Sequence, residues 1–354
     1  MTPLKIGLVG CGQIALSVHI NILRSLREVE LVALAEADPT RREEASRRAP
    51  AAAAFADYQE LLEKREVEAV VICLPNALHG KAAITALQRG KHVYLEKPLA
   101  ISLSEAQSVL AAWRQSRRVG MMGFNYRFNA LYQGVRQQIH SGRIGELVGA
   151  RSVFSASPQT LPAWKRSRQK GGGALVDLAS HHVDLVHFLF EQEVREVFAE
   201  MRSQLCEDDS AALQMRLSNG LLVQSFFSLS AVDEDRFEIY GQGGKIAVDR
   251  YRSLFVEIND SGRISGRLQW LKYALRSMIR SPYLAERILA PRSEPSYRAA
   301  LVHFAAVVRG KQPARPDLSD GYRSLAVIEA AKESARVGRV ARVSEPVGDD
   351  TDRR

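Results

Sequence analysis

Short apolar runs separated by longer stretches of helical spacing set the rhythm of the first 125 residues. "KIGLVG", "LVALAE", "AVVICL" and "HVYLE" are too short for buried helices and are bounded by glycine, proline or polar clusters, so they read as strands. The pattern predicts strands near 4–9, 31–36, 53–55, 69–74, 92–96 and 119–124. Strands that alternate with helices build a parallel sheet. The rhythm then changes: from 146 to 258 strand-like runs follow one another, and in "AALQMRLSNGLLVQSFFSL" the pair Asn219-Gly220 reads as a hairpin turn between two β-rich stretches. A helical stretch, "DGYRSLAVIEAAKESARVG" from 320 to 338, is expected to close the second core.

The first strand runs directly into "GCGQIA" and a helix-like stretch. Gly10 makes the tight turn, Gly12 lets backbone approach a pyrophosphate, and the small Ala15 lets the helix pack on the strand. A glycine triplet alone is a weak signal, and its context decides. Here a strand precedes it, and Glu36 ends the next strand 21 residues beyond Ala15, near the spacing of a carboxylate that accepts bonds from ribose hydroxyls. The candidate cofactor residues of this region are Gly10, Gly12, Gln13, Ile14, Ala15, Glu36 and Arg41. Glu36 repels the 2′-phosphate of NADP, so NAD is the expected cofactor, while Arg41 and Arg42 keep NADP open.

Ligands of open parallel sheets bind beyond the carboxyl ends of the strands. The loops "CLPNALH", with Pro75, Asn76 and His79, and "LEKP", with Glu96, Lys97 and Pro98, should therefore border the nicotinamide. Pro98 has no N–H and biases Lys97 away from helical geometry, so the strand should stop there and hold Lys97 at its end. His79 either packs under the cofactor or acts on it.

In "GGGALVDLASHHVDLVHFLF" the glycines release the chain into a helix expected from about 174 to 190. At α-helical spacing Asp177, His181 and Asp184 share one face, and His182 points about 100° away. A carboxylate one turn from a histidine holds its tautomer and raises its basicity, which suits removal of a hydroxyl proton as hydride leaves the same carbon.

Taken together, "GLVGCGQIA", "VVICLPNALH", "GKHVYLEKPLA", "GFNYRF" and "GGGALVDLASHHVDL" resemble the Gfo/Idh/MocA oxidoreductase family, over roughly residues 4 to 343. The resemblance implies an α/β protein: an N-terminal Rossmann dinucleotide-binding domain (1–124) and a C-terminal α+β substrate-binding and oligomerisation domain (125–344) with an open, mainly antiparallel sheet. A disordered tail is expected over 345–354. It also implies NAD(P)-dependent dehydrogenation of a CH–OH group in a sugar, inositol or sugar derivative, and a homodimer or homotetramer. Relatives similar to inositol dehydrogenase place a lysine, an aspartate and a histidine around the reacting hydroxyl, carried here by Lys97, Asp177 and His181. Asn125 and Arg127 stand at the domain crossover, where cofactor contact, substrate contact or a hinge are all open. Asp184 either binds a substrate hydroxyl or caps a hydrogen-bond chain. Two rivals to the dehydrogenase reading are a glycosidase that uses transient oxidation and elimination, and a sensor that has kept the nucleotide fold without chemistry.

Charge changes the picture only locally. Of the net +9, an excess of six lies between Arg263 and Arg298, where eight Lys or Arg face two Glu. No nucleic-acid docking motif accompanies it, so no nucleic-acid partner is expected. Residues 267–289 form a basic amphipathic pattern, expected to pack on a subunit or domain. "AWKRSRQKGGG" adds Trp164, Lys165, Arg166, Arg168 and Lys170 ahead of the histidine helix, a basic rim that would favour an anionic or nucleotide-linked sugar, with Trp164 as a substrate contact. No window reaches the roughly 20 apolar residues of a membrane span. The strand pattern begins at Pro3, leaving no room for a signal peptide, and Cys11, Cys73 and Cys206 lack metal-ligand spacing, so a reducing cytoplasm and no metal are expected.

Overall fold

Six of the apolar runs pair into one parallel sheet. In the computed structural model, which describes residues 2–158, 162, 166–168, 171–260 and 294–345, these are β1 (Leu4–Val9), β2 (Val29–Ala35), β3 (Ala53–Phe55), β4 (Ala69–Ile72), β5 (His92–Leu95) and β6 (Gly120–Met122). The order is β3-β2-β1-β4-β5-β6, with every neighbouring pair parallel. β4 is buried at all four positions, as expected of a strand covered on both faces. The strand order reverses beside β1, so the ends of β1 and β4 flank the switch point where such sheets take ligands.

The connecting helices are α1 (Ile20–Ser25), α2 (Pro39–Arg48), α3 (Tyr58–Leu62), α4 (His79–Gln88) and α5 (Leu103–Ser116). Their starts follow from local chemistry. Asp38 accepts from Arg41 N at the head of α2, where Pro39 needs no donor, and Ser102 accepts from Glu105 N at the head of α5. α1 is entered through a π-helical turn, Ala15–His19, straight from the glycine loop.

Two compact units emerge, one from Met1–Asn125 with Tyr297–Ala326, the other from Tyr126–Ser296 with Val327–Ser344. The first unit thus takes in chain that the sequence pattern assigned wholly to the second domain. Its attachment is tight: Met122 N donates to Pro316 O, and a Cβ on Gly120 or Gly321 would meet Leu318 or Met122 within 3 Å. The expected tail after 345 lies outside the described residues.

The second unit is built on an eight-stranded sheet of β7 (Leu147–Ser155), β8 (Val194–Arg202), β9 (Ser210–Leu217), β10 (Leu222–Ser228), β11 (Glu234–Gly241), β12 (Gly244–Asp249), β13 (Glu257–Asp260) and β14 (Ala341–Arg342), ordered β13-β12-β11-β7-β10-β9-β8-β14. All pairs are antiparallel except β7 with β10. The Asn219-Gly220 turn joins β9 to β10 as expected, with Gly220 at φ +87°. Alternation decides the faces. In β10, Val223, Ser225 and Phe227 point inward while Leu222, Gln224 and Phe226 face out. Helices α6 (Ala130–His140) and α7 (Ser180–Phe190) and the end of α9 (Leu318–Val337) contribute to the inner core, where Leu185, Val186 and Leu189 join Met215, Val223, Phe237 and Val327. Helix α8 spans Pro295–Val308. Burial of each such side chain contributes roughly 1.5–3 kcal/mol.

Candidate active site

The glycine loop has the backbone its chemistry requires. Gly10 sits at φ +87°, and a Cβ there would lie 2.8 Å from the Cys73 carbonyl at the end of β4. At Gly12 a Cβ would meet nothing within 4 Å, so this stretch of main chain is open to close approach by a ligand backbone. Ala15 is fully buried under the following helix, Ile14 is half-buried and Gln13 is exposed. Glu36 is half-buried, and its carboxylate accepts from Cys11 N at 2.8 Å and Asp38 N at 3.0 Å, tying the end of β2 to the glycine loop. Arg42 donates to Glu36 O at 2.7 Å, whereas Arg41 is exposed near Asp38. Burial and Glu36 together push the Cys11 thiol up to about 12, Arg41 only partly offsetting them, so it stays protonated beside the turn. These residues fit a dinucleotide: an open glycine backbone, a small helix-packing residue and an acceptor at the end of β2.

β5 ends at Leu95, and the next three residues form the Glu-Lys-Pro loop, whose Lys97–Pro98 peptide is cis. Lys97 is half-buried. Both of its neighbours are anchored. Glu96 Oε1 lies 2.8 Å from Nε2 of the fully buried His19, and the Pro98 carbonyl lies 2.6 Å from Nδ1 of His79. His79 Nε2 lies 2.8 Å from the carbonyl of Leu74, so this ring bridges the loops after β4 and β5. Burial pulls the His79 pKa below its ordinary value, and the two carbonyls pull it back. Sequence left the role of His79 open; its contacts are those of a loop clamp. Pro75 is exposed, and Asn76 and Asn125 are buried in short 3₁₀ turns.

The histidine helix departs from the expected geometry. Leu175–Ala179 form a π-helical turn, and α7 begins only at Ser180. The α-helical spacing that puts Asp177 and His181 one turn apart therefore does not apply between them, though it does for His181 and Asp184. π-turns are rare and recur at functional sites. Asp177 is half-buried, and His181 is 8% exposed. Asp184 is buried, and both its oxygens accept from Arg127, with Nη2 to Oδ1 at 2.6 Å and Nε to Oδ2 at 2.9 Å. Of the two roles open to Asp184, this geometry is that of a link in a bonded chain.

His182, turned away by helix geometry, has a different task. It is fully buried and its Nε2 lies 3.0 Å from Oδ1 of Asp235 on β11. Tyr132 and Tyr126 donate to the same carboxylate at 2.8 and 2.9 Å, and Arg250 Nε donates at 2.6 Å. Burial opposes the charge on Asp235, but Arg250 and His182 overcome it and hold the carboxyl well below its usual range. Sequence reasoning passed over this cluster. One signal was present: alternation along "EDRFEIYG" places Asp235 on the same face as Phe237 and Ile239, and a charge among apolar residues needs buried partners.

Of the expected basic rim, Trp164, Lys165 and Lys170 lie outside the described residues, as does the stretch 267–289. Arg166 is exposed. Arg168 forms two bonds to Asp208, at 2.5 and 2.7 Å, so its charge is compensated locally. Among the described residues no helix is long and apolar enough to cross a membrane.

The glycine turn, the Glu36 carboxylate and the order of the parallel sheet define a dinucleotide-binding protein. The chain belongs to the Gfo/Idh/MocA oxidoreductase family: residues 4–124 match its NAD-binding Rossmann fold and residues 136–343 its C-terminal alpha/beta domain. It is 26% identical to myo-inositol 2-dehydrogenase of Thermotoga maritima, over 98% of this chain and 100% of that one. Glucose-6-phosphate 3-dehydrogenase of Bacillus subtilis is 28% identical, over 92% of this chain and 94% of its own. In fold it is similar to the WlbA dehydrogenase of Bordetella pertussis, solved with NADH and UDP-GlcNAcA, with a TM-score of 0.82 and 22% identity over 97% of this chain and 98% of that one.

Proposed function

We propose that the protein transfers a hydride between NAD and a CH–OH carbon of a sugar, inositol or related polyol, with Lys97, Asp177 and His181 as the catalytic residues. The observation that carries this reading is the double anchoring of Lys97, whose two neighbours are fixed by buried imidazoles in the loop leaving β5. A lysine so placed suits charge stabilisation on an oxygen. The full-length relatives named for inositol and glucose 6-phosphate support the substrate class.

In this reading Lys97 binds the substrate oxygen, His181 takes the hydroxyl proton, and Asp177 orients the acceptor. Bound NAD supplies the hydride acceptor. In the reverse direction the imidazolium of His181 returns its proton to the forming alkoxide. Gly12 backbone and Glu36 would hold the pyrophosphate and adenosine ribose of the nucleotide, with NAD preferred over NADP. Asn76 and Asn125 serve the cofactor. Arg127 and Asp184 form a buried pair that supports the site rather than binding substrate directly.

The working form is a cytoplasmic homo-oligomer. The outer face of the second sheet supports this: it carries a groove of about 580 Å³ lined by Arg151, Phe198, Gln214, Phe226 and Arg236, with Phe226 41% exposed. Three free thiols, at Cys11, Cys73 and Cys206, suit a reducing compartment.

The test is nicotinamide absorbance on mixing the protein with NAD or NADP and a panel of inositols, aldoses, uronates and nucleotide sugars, with Lys97→Ala as control. Substrate-dependent NADH formation that is lost in Lys97→Ala is expected. Silence across the panel, despite cofactor binding, overturns the dehydrogenase in favour of the glycosidase or the sensor.

A further inference from the structure

Beside His181 lies an aromatic ring that the reaction does not itself require. The Tyr126 and His181 rings are parallel within 19°, with centroids 4.4 Å apart, while Phe154 stands 6.2 Å from His181 and tilted by 55°. Tyr126 is thus the face on which the His181 imidazole rests. A ring serving only as packing would be as well supplied by phenylalanine. The Tyr126 hydroxyl instead donates to Oδ2 of Asp235 at 2.9 Å, and the Arg250 guanidinium lies 4.6 Å from the centroid of the same ring. Burial raises the Tyr126 hydroxyl well above its ordinary pKa, Arg250 only partly opposing it, so it remains a donor.

Asp235 therefore holds two consecutive histidines in two ways. Its Oδ1 meets His182 Nε2 directly, and its Oδ2 fixes Tyr126, on which His181 is stacked. His182 is stacked in its turn on Phe154, at 5.3 Å and 24°. Each imidazole has its own parallel aromatic partner, and one buried carboxylate sets the register of both.

We propose that Tyr126 is a positioning residue for His181, locked in place by Asp235. The inference rests on the reading of His181 as the proton acceptor. Proton transfer is sensitive to the direction of the accepting nitrogen, and stacking on a fixed ring restricts the imidazole to rotation in its own plane.

The experiment combines turnover and NMR on the full chain. With the panel compound that reduces NAD, myo-inositol being tried first, Tyr126→Leu is expected to lower kcat by on the order of tenfold to a hundredfold with KM little changed. Tyr126→Phe, which keeps the ring but loses the bond to Asp235, should recover only part of that loss, and full recovery overturns the lock by Asp235. In a His181→Ala background Tyr126→Leu should have no further effect. A Tyr126→Leu enzyme as fast as wild type, or one whose loss multiplies with that of His181→Ala, overturns the positioning role. Histidine-labelled wild-type protein, with His181 assigned by its disappearance in His181→Gln, covers the case in which Tyr126→Leu does not fold. Upfield-shifted ring protons are expected from the parallel tyrosine, and unshifted ones overturn the proposal. A His181→Ala enzyme that turns over normally instead sinks the reading of His181, whatever the NMR shows of the stack.

Discussion

His19 Nε2 lies 2.8 Å from Glu96 Oε1, both groups buried, although 77 residues separate them in the chain. One residue comes from the π-turn behind the glycine loop and the other directly precedes Lys97, so the cofactor turn and the lysine loop are joined by one bond. Replacing His19 by Ala leaves a buried carboxylate oxygen without this donor, at a cost of about 1–3 kcal/mol. His19→Ala should melt earlier, and its kcat should fall on the order of tenfold as Lys97 loses its fixed neighbour. Thermal melts and turnover measured on one preparation check this. A destabilised His19→Ala with normal kcat would mean that His79 alone holds the loop.

Arg127 and Asp184 make the opposite case, since substrate contact was one of the roles open to each and they emerge paired with each other inside the second unit. Removing one member of a buried pair leaves an uncompensated charge, typically at a cost of about 3–5 kcal/mol. Asp184→Ala should therefore lose stability heavily, while whatever protein folds keeps a near-normal KM. Urea denaturation beside steady-state kinetics separates the roles: a stable Asp184→Ala with a sharply raised KM would return Asp184 to direct substrate binding.

The contrast between Glu36 and Asp235 shows what sequence could convey. Glu36 was legible because its meaning is local: a strand, a glycine turn and a fixed spacing put a carboxylate at the end of β2. The parallel sheet and the Asn219-Gly220 hairpin were readable for the same reason. Asp235 finds three of its four partners 53, 103 and 109 residues away, in His182, Tyr132 and Tyr126, and no periodicity encodes such pairings. The π-turn at Leu175–Ala179 was hidden too, because this helix is buried almost all round and so has no one-sided apolar period in which an inserted residue would show. The return of Tyr297–Ala326 to the first unit depends on packing of Leu318 and Gly321 against β6 and its surroundings, again a tertiary event.

Glu36 carries a prediction about cofactor choice. Its carboxylate accepts from two main-chain N–H groups, one of them in the glycine loop, so it shapes the turn as well as presenting negative charge. Glu36→Ala should weaken NADH binding by about 1–2 kcal/mol, through loss of the proposed bonds to the ribose and of the turn shape that its main-chain bonds hold. Repulsion of a 2′-phosphate disappears in the same variant, so NADPH affinity should fall less or rise. Fluorescence titration with both nucleotides measures the ratio. An unchanged preference would remove Glu36 as its determinant.

The acid limb of stability should report on Glu238, which is 2% exposed on β11. Burial opposes its charge, but bonds from Arg151, Lys245 and Arg236 overcome this and lower its pKa from 4.5 to about 2. A carboxyl whose folded pKa is depressed binds more protons when unfolded, so its contribution is complete above about pH 4.5 and is lost as pH falls toward 2. Arg151 is itself largely exposed, and solvent screening reduces the contribution to about 1–2 kcal/mol. Glu238→Gln should therefore be less stable than wild type at neutral pH and converge on it as the medium is acidified. Urea midpoints of the second unit at pH 7, 5 and 3 test the sign, and a gap that widened on acidification would show that the three cations do not stabilise the Glu238 carboxylate.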